Sequence, residues 1–378
     1  MWLSRVKFWF GGKSFAIAFA MAQEAKRERL TFIDLMRGYA ILMMLMGHTI
    51  HVVLAEGWRE SKYPAYAIWY YLTGLTAPTF LFSAGFIFAY LMARGESHGG
   101  QRLQKGLKRF GSLMVLGWVF HIKPAFFQSL FAGQFSAVGE LLSHSSVLQV
   151  IGLSILMLIG LWMASGRKGM RFVVLSFLVS QAAFILGPFW ANWSGSYPGW
   201  LRPVEIFVSA KNAYFPIFPW SGYVFLGAGL GAWAWEKKWY RELKWFLLLI
   251  PAGVLMKWVM TGPVPVSSQG FYWRGGEVLI LLALVGSICF ALEKKAWEEL
   301  WPVRVVARCG QETLTIFCLH NVVLYGVWFG VSLSRYFDKS LGPWQTVTAI
   351  VLIEAGFIAL ALNLQKLRKV FPPMRLLR

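Results

Sequence analysis

Residues 31–48 read TFIDLMRGYAILMMLMGH, and this stretch decides the class of the whole chain. Its apolar run is the kind that crosses a bilayer, where a helix needs roughly 20 apolar residues. Yet it carries Asp34, Arg37 and His48. An ionisable group in hydrocarbon costs about 2.5–3.5 kcal/mol on insertion scales, so each one points to an ion pair or a functional site. Asp34 and Arg37 are three apart and can pair on one helix face. Arg37 and His48 differ by eleven positions, close to three full turns, so they share a face about 16 Å apart along the axis. A polar stripe on an apolar helix turns toward the protein interior, and Arg37 and His48 are expected to open into one shared cavity. The plainer readings are a capping and topology pair for Asp34 and Arg37, and an interhelical hydrogen bond for His48.

Similar runs recur along the 378 residues, which are 57% hydrophobic with a mean hydropathy of +0.54. Only 14% of residues are charged, against about 25% in soluble chains. Spans are predicted near 32–55, 66–92, 110–131, 146–164, 171–190, 214–235, 244–261, 276–292, 312–331 and 343–364. The third is interrupted by Lys123 and Pro124. Basic clusters fall at 26–29, 94–109, 167–168, 236–244, 294–308 and 366–378, whereas the alternate loops carry single cations such as Arg59, Lys62, Arg202, Arg274 and Lys339. Cytoplasmic loops hold the excess of Lys and Arg. The expected fold is therefore all-α, a polytopic integral membrane protein of about ten transmembrane helices with both termini cytoplasmic. Residues 1–30 form a cytoplasmic or interfacial segment, 31–365 the membrane domain and 366–378 a basic tail. Segment 297–308 mixes Trp and Val with charge and reads as an amphipathic helix on the inner surface.

The net charge of +20 lies between the apolar runs. A nucleic-acid protein would instead gather it on one soluble face, so no nucleic-acid partner is expected. Cys289, Cys309 and Cys318 fall in the membrane or on the cytoplasmic side, which argues against disulfides, and no metal site is expected. Further polar residues at membrane depth are His121 and Lys123 in the third span, Lys257 in the seventh, His320 beside Asn321 in the ninth and Glu354 in the tenth. Lys257, close to a span end, is expected to snorkel, and Glu354 to make a structural hydrogen bond. Trp220 belongs to an aromatic-rich stretch at 190–220 whose rings could stack on sugars or form an interfacial belt.

The motif Asp34-x-x-Arg37-Gly38 with His48 eleven positions beyond Arg37 resembles the transmembrane acyltransferase superfamily, of the acyltransferase family three and heparan-alpha-glucosaminide N-acetyltransferase types. The second span, Leu72-Thr-Gly-Leu-Thr-Ala77-Pro78-Thr-Phe80-Leu-Phe82-Ser-Ala-Gly85, resembles that type's Ala-Pro, aromatic run and Gly. So do the sixth, with Phe215-Pro216-Ile-Phe-Pro219-Trp220 and Gly222, Gly227 and Gly231, and the ninth, Thr313-Leu-Thr-Ile-Phe-Cys-Leu-His320. Heparan-type enzymes carry a His just before the second-span Asn-Gly, where this chain has Ile68-Trp-Tyr-Tyr-Leu-Thr-Gly74 and no His.

The resemblance implies an enzyme, an acyltransferase. Its co-substrate is acyl-CoA (acetyl-CoA) entering from the cytoplasm, with no tightly bound cofactor. The acceptor is a hydroxyl or amine of an extracytoplasmic glycan or lipid. His48 would serve as general base or acyl carrier, because an acceptor oxygen is a weak nucleophile until its proton is taken. Arg37, set by Asp34, would hold a donor phosphate. His320 and Asn321 would orient the donor or stabilise the oxyanion, His121 and Lys123 would line a donor tunnel, and Trp220 is a substrate-binding candidate. The expected location is multi-pass in a bacterial cytoplasmic (inner) membrane, in contact with the lipid bilayer, with room for a homo-oligomer. The competing reading is a transporter or flippase, which also buries Arg, His and Glu along a path.

Overall fold

A computed structural model describes residues 30–95, 99–122, 124–142, 145–192, 205, 207–209, 213, 215–258, 262, 265–292 and 300–370. In hydrocarbon the backbone must satisfy its own polar groups, and a single segment does so only as a helix. The described residues are accordingly helical. The sole strand-like feature among them is an isolated parallel bridge between Leu54 and Leu341.

In chain order the helices are α1 (Thr31–Val53), α2 (Pro64–Thr73), α3 (Thr76–Arg94), α4 (Gly99–Val119), α5 (Pro124–Phe131), α6 (Ser136–Leu142), α7 (Val147–Ala164) and α8 (Gly169–Ala191). Then come α9 (Ile217–Lys237), α10 (Leu243–Trp258), α11 (Val266–Leu292), α12 (Trp301–Gln311), α13 (Thr313–Tyr325), α14 (Leu333–Phe337) and α15 (Pro343–Val370). Among the described residues, five segments are long and apolar enough to cross a membrane: Pro64–Arg94, α7, α8, α11 and α15. The chain is an all-α, polytopic integral membrane protein. Every predicted span carries a helix.

Four spans differ from their sequence reading: the helix of the eighth, α11, starts ten residues early at Val266, that of the ninth, α13, ends at Tyr325, and the second and third are broken. The second bends at Gly74-Leu75 into α2 and α3. The third, predicted at 110–131, is instead α4 at Gly99–Val119, followed by the separate helix α5 starting at Pro124. Proline restricts the residue before it to extended backbone, so the first helix stops short of it. The N-terminal half of α4 carries Arg102, Lys105, Lys108 and Arg109, which read as loop on hydropathy alone. Yet Gly106, Leu113 and Met114 are buried along one side of the same helix, so α4 is amphipathic along its length.

Helix α1 is the hub, touching α3, α11, α12, α13 and α15. Its N-terminal third packs against α12, which runs back along it. A Cβ on Gly310 would strike the Asp34 carbonyl, and one on Gly38 the Val306 carbonyl. Small residues permit this approach of two backbones. Helix α12 is amphipathic, as expected, and buries Val305, Cys309 and Gly310. The glycines of the sixth-span motif serve the same purpose elsewhere: Gly227 and Gly231 face the Phe82 and Phe86 carbonyls of α3. At the far end of α1, Ala55 N–H donates to Leu341 O at 2.9 Å and Leu341 N–H to Val53 O at 2.8 Å. Lys339 Nζ donates to Glu56 Oε1 at 2.7 Å beside this clasp, and that hydrogen bond holds the Glu56 carboxyl below its usual range. Helix α15 stays helical through Val370, with Arg368 buried and Lys366 and Lys369 exposed.

Candidate active site

The three polar residues of α1 fall into two groups. At the N-terminal end, Asp34 and Arg37 are only loosely paired, with Nη1 and Oδ1 4.0 Å apart. Their close partners come from the elbow between α12 and α13. Arg37 Nη2 donates to Thr313 Oγ1 at 2.7 Å, and Gln311 Nε2 donates to Asp34 Oδ2 at 3.0 Å. Arg308 Nη1 donates to Gln311 Oε1 at 3.2 Å and extends the relay. The residue between, Glu312, is buried and accepts from Arg368 Nη1 and Nη2 of α15 at 2.9 and 2.6 Å. A bidentate guanidinium–carboxylate pair fixes geometry as well as charge, so the terminal helix is latched to the elbow that holds Arg37.

A cavity of about 390 Å³ opens beside this elbow, lined by Arg37 of α1, Arg102, Lys105 and Arg109 of α4, and Gln311, Glu312 and Thr313. Its remaining walls are apolar and come from α3, α4, α7 and Leu314 of α13, with Phe80, Phe88, Leu113 and Ile151 among them. Four cations at the rim of an apolar chamber suit a ligand with an anionic head and a less polar arm. Because Lys105 and Arg109 are one turn apart and Arg102 one turn before, a single face of α4 supplies three of them.

At the other end of α1, His48 Nδ1 lies 2.5 Å from Tyr325 Oη. The His320 ring stands 5.0 Å from the His48 ring, centroid to centroid. His320 is 1% exposed, and its Nε2 has no hydrogen-bond partner among the described residues. Tyr325 is 36% exposed, so this end is partly open. Two imidazoles and a phenol in contact can hold and pass a proton.

The expectation of one cavity shared by Arg37 and His48 is corrected: His48 is not among the residues lining the 390 Å³ chamber. Between the two groups lie Ile41 and Leu45 of α1 and Ile316 and Phe317 of α13, packed in one cluster. Ile41, Leu45 and Ile316 are fully buried. These are the turns intervening between Arg37 and His48 on one helix and between Thr313 and His320 on the other, so an apolar layer divides the stripe.

Other sequence candidates are placed elsewhere. Asn321 donates Nδ2 to the Phe317 carbonyl of its own helix at 2.8 Å, and its amide reaches His320 Nδ1 only at 3.5 Å. His121 Nδ1 bonds the Gly117 carbonyl at 2.7 Å, closing the end of α4. Lys123 lies outside the described residues, as do residues 1–29 and the last of the basic tail. Trp220 packs on Phe215, Tyr223 and Phe271 and lines a separate cavity of about 320 Å³ with Asn192, Pro216 and Ser267. Lys257 does not snorkel as expected; Nζ is 3.3 Å from Glu277 Oε1. Tyr325, Gln311, Thr313, Glu312 and Arg368 were not singled out by the sequence reading.

This is a helical membrane protein whose central helix carries a cation-lined chamber at one end and a histidine cluster at the other. The family model for the heparan-alpha-glucosaminide N-acetyltransferase catalytic domain matches residues 29–261, and the chain belongs to that family of membrane acetyltransferases. No curated protein matches it. The match contains Asp34, Arg37, His48 and the α4 cations, while His320 and Tyr325 lie beyond it.

Proposed function

We propose that this chain moves an acyl group, in the first instance acetyl, from acyl-CoA on the cytoplasmic side to a hydroxyl or amine of an extracytoplasmic glycan or glycolipid. The observation that carries the reading is the placement of Arg37 and His48 on one face of α1. Arg37 opens on a chamber with three further cations, and His48 joins His320 and Tyr325 about 16 Å along the axis.

The cations would hold the phosphates of CoA, for which guanidinium groups are well shaped. The apolar walls would take the pantetheine arm, whose extended length matches the Arg37-to-His48 separation. The positive-inside rule puts the Arg37 end in the cytoplasm, and the bacterial cytoplasmic membrane is the proposed location. Residues 31–365 act together as the transferase domain, and Phe317 must turn aside for the thioester to reach His48.

In the transfer step the acceptor oxygen or nitrogen attacks the thioester carbonyl as His48 takes its proton. The tetrahedral intermediate then collapses, the carbon–sulfur bond breaks, and CoA leaves as a thiolate that is reprotonated. With Nδ1–H donated to Tyr325 Oη, His48 would keep its Nε2 lone pair for the acceptor's proton. His320, with a ring N–H directed at the oxyanion, would stabilise the charge that develops there. In the two-step variant His48 itself carries the acyl group between donor and acceptor.

The test compares envelope glycans and lipids from wild-type and His48→Ala cells by mass spectrometry. An acyl group present in wild type and missing in the variant is the expected result. An unchanged acyl pattern overturns the reading.

A further inference from the structure

A second polar centre lies on α2, α10 and α11, apart from the histidine cluster and the cation-lined chamber. Glu277 is about 16 Å from the start of α11 at helical rise and its side chain is 10% exposed. Arg274 Nη1 donates to its Oε2 at 2.8 Å. Its Oε1 accepts from Lys257 Nζ at 3.3 Å, from Trp273 Nε1 at 2.9 Å, and from the Tyr71 hydroxyl. The Lys257 ammonium also sits 3.9 Å from the centre of the Trp273 ring, and the Arg274 guanidinium 4.6 Å from that of Tyr71.

Two cations thus share one carboxylate, and among the described residues neither pairs with another acid. A neutral pair would suffice to join α10 to α11. An extra positive charge in a partly buried site is costly, and in a membrane protein such a residue is a functional-site candidate by default. The cations are not sealed in: their side chains are 19% and 24% exposed, and the rings over them are 38% exposed at Trp273 and 46% at Tyr71. Around them, α2 stands off the bundle with no buried residue and presents the aromatic ladder Tyr66, Trp69 and Tyr70.

The cluster is also adjacent to the reacting end of α1. Arg274 lies against Gly74, and the preceding residue, Thr73, approaches Gly47 together with Trp69. Gly47 is the neighbour of His48. The C-terminal end of α2 thus reaches Arg274 on one side and the residue beside His48 on the other.

We infer that Arg274 and Lys257 form a binding subsite for an anionic group, a carboxylate or phosphate, on the acceptor, with Tyr71 and Trp273 flanking the ring or chain that carries it. Glu277 holds the two cations in place and leaves one positive charge for the ligand. The inference rests on the acceptor side of the proposed transferase reading and narrows the acceptor to an anionic molecule.

The test uses the full-length protein in phosphatidylcholine nanodiscs and measures calorimetric binding of methyl β-glucuronide and methyl β-glucoside. The glucuronide should bind about tenfold more tightly, as a charge-assisted contact predicts. Arg274→Gln and Lys257→Gln should each abolish that preference, and Arg274→Lys should keep it. Glu277→Gln should strengthen glucuronide binding, because it frees both cations; a purely structural network would only weaken. If phosphatidic acid in the disc displaces the glucuronide, the anion comes from a lipid headgroup and the subsite stands. Equal binding of the two sugars with no competition by phosphatidic acid overturns the inference, as does a preference that survives both Gln variants. Failure of the transferase reading itself shows separately, as no release of CoA thiol from acetyl-CoA by the wild-type protein.

Discussion

His48 Nδ1 and Tyr325 Oη stand 2.5 Å apart although 277 positions separate them in the chain. One lies in the helix that carries the polar stripe and the other ends α13, so the packing of α13 on α1 sets the orientation of the imidazole. If Tyr325 holds the His48 tautomer with Nδ1 protonated, Tyr325→Phe should lower kcat by about 100-fold, the lower end of what positioned acid–base groups contribute. The KM for acetyl-CoA should stay within about twofold. Steady-state kinetics with purified protein measures both, and an equal fall in kcat with a large rise in KM would assign Tyr325 to donor binding.

The chamber makes a different demand. Arg102→Gln with Lys105→Gln removes two of its four cations while leaving Arg37 in place. Acetyl-CoA affinity should drop by about tenfold or more, since hydrogen bonds to charged groups contribute about 1.5–3 kcal/mol each. Binding of dephospho-CoA should drop less. Calorimetry with the two nucleotides distinguishes phosphate recognition from a general loss of folding.

Phe317 divides the chamber from the histidines, with its ring 5.2 Å from that of His320. Phe317→Trp should slow acyl transfer with donor affinity kept, because the larger ring obstructs the arm beyond the phosphate site. Phe317→Ala should open the layer and raise uncoupled hydrolysis of acetyl-CoA. Thiol release measured with and without acceptor reports both outcomes.

The Glu312–Arg368 pair is buried, with side chains 7% and 10% exposed. Removing one partner of a buried pair typically costs about 3–5 kcal/mol, and the cost here is reduced because Arg308 Nη2 stays 3.2 Å from Glu312 Oε1. Arg368→Gln should therefore lower the thermal midpoint of the detergent-solubilised protein by several degrees. Glu312→Gln combined with Arg368→Gln should recover part of that loss. A double variant less stable than either single one contradicts this account.

The sequence carried the α1 stripe because its period is local: offsets of three and eleven on one helix need no knowledge of the fold. The helical segments were legible for the same reason, as each is a continuous apolar run. Helix α4 was misplaced because its four cations resemble a loop until a cavity is known to face them. Tyr325, Glu312 and Arg368 escaped because their meaning arises from contacts across 53 to 277 positions. Glu277 sat at the edge of a predicted span, and Lys257 looked like a snorkelling end residue; only the packing of α10 on α11 pairs them.

The most direct measurement follows radiolabel from acetyl-CoA to a glucosamine-terminated glycan with purified wild-type and His48→Ala protein. The account predicts labelled glycan and stoichiometric CoA thiol from wild type, and at least about a 100-fold loss of both in the variant, with acetyl-CoA binding retained. Label transferred by His48→Ala at the wild-type rate would contradict it.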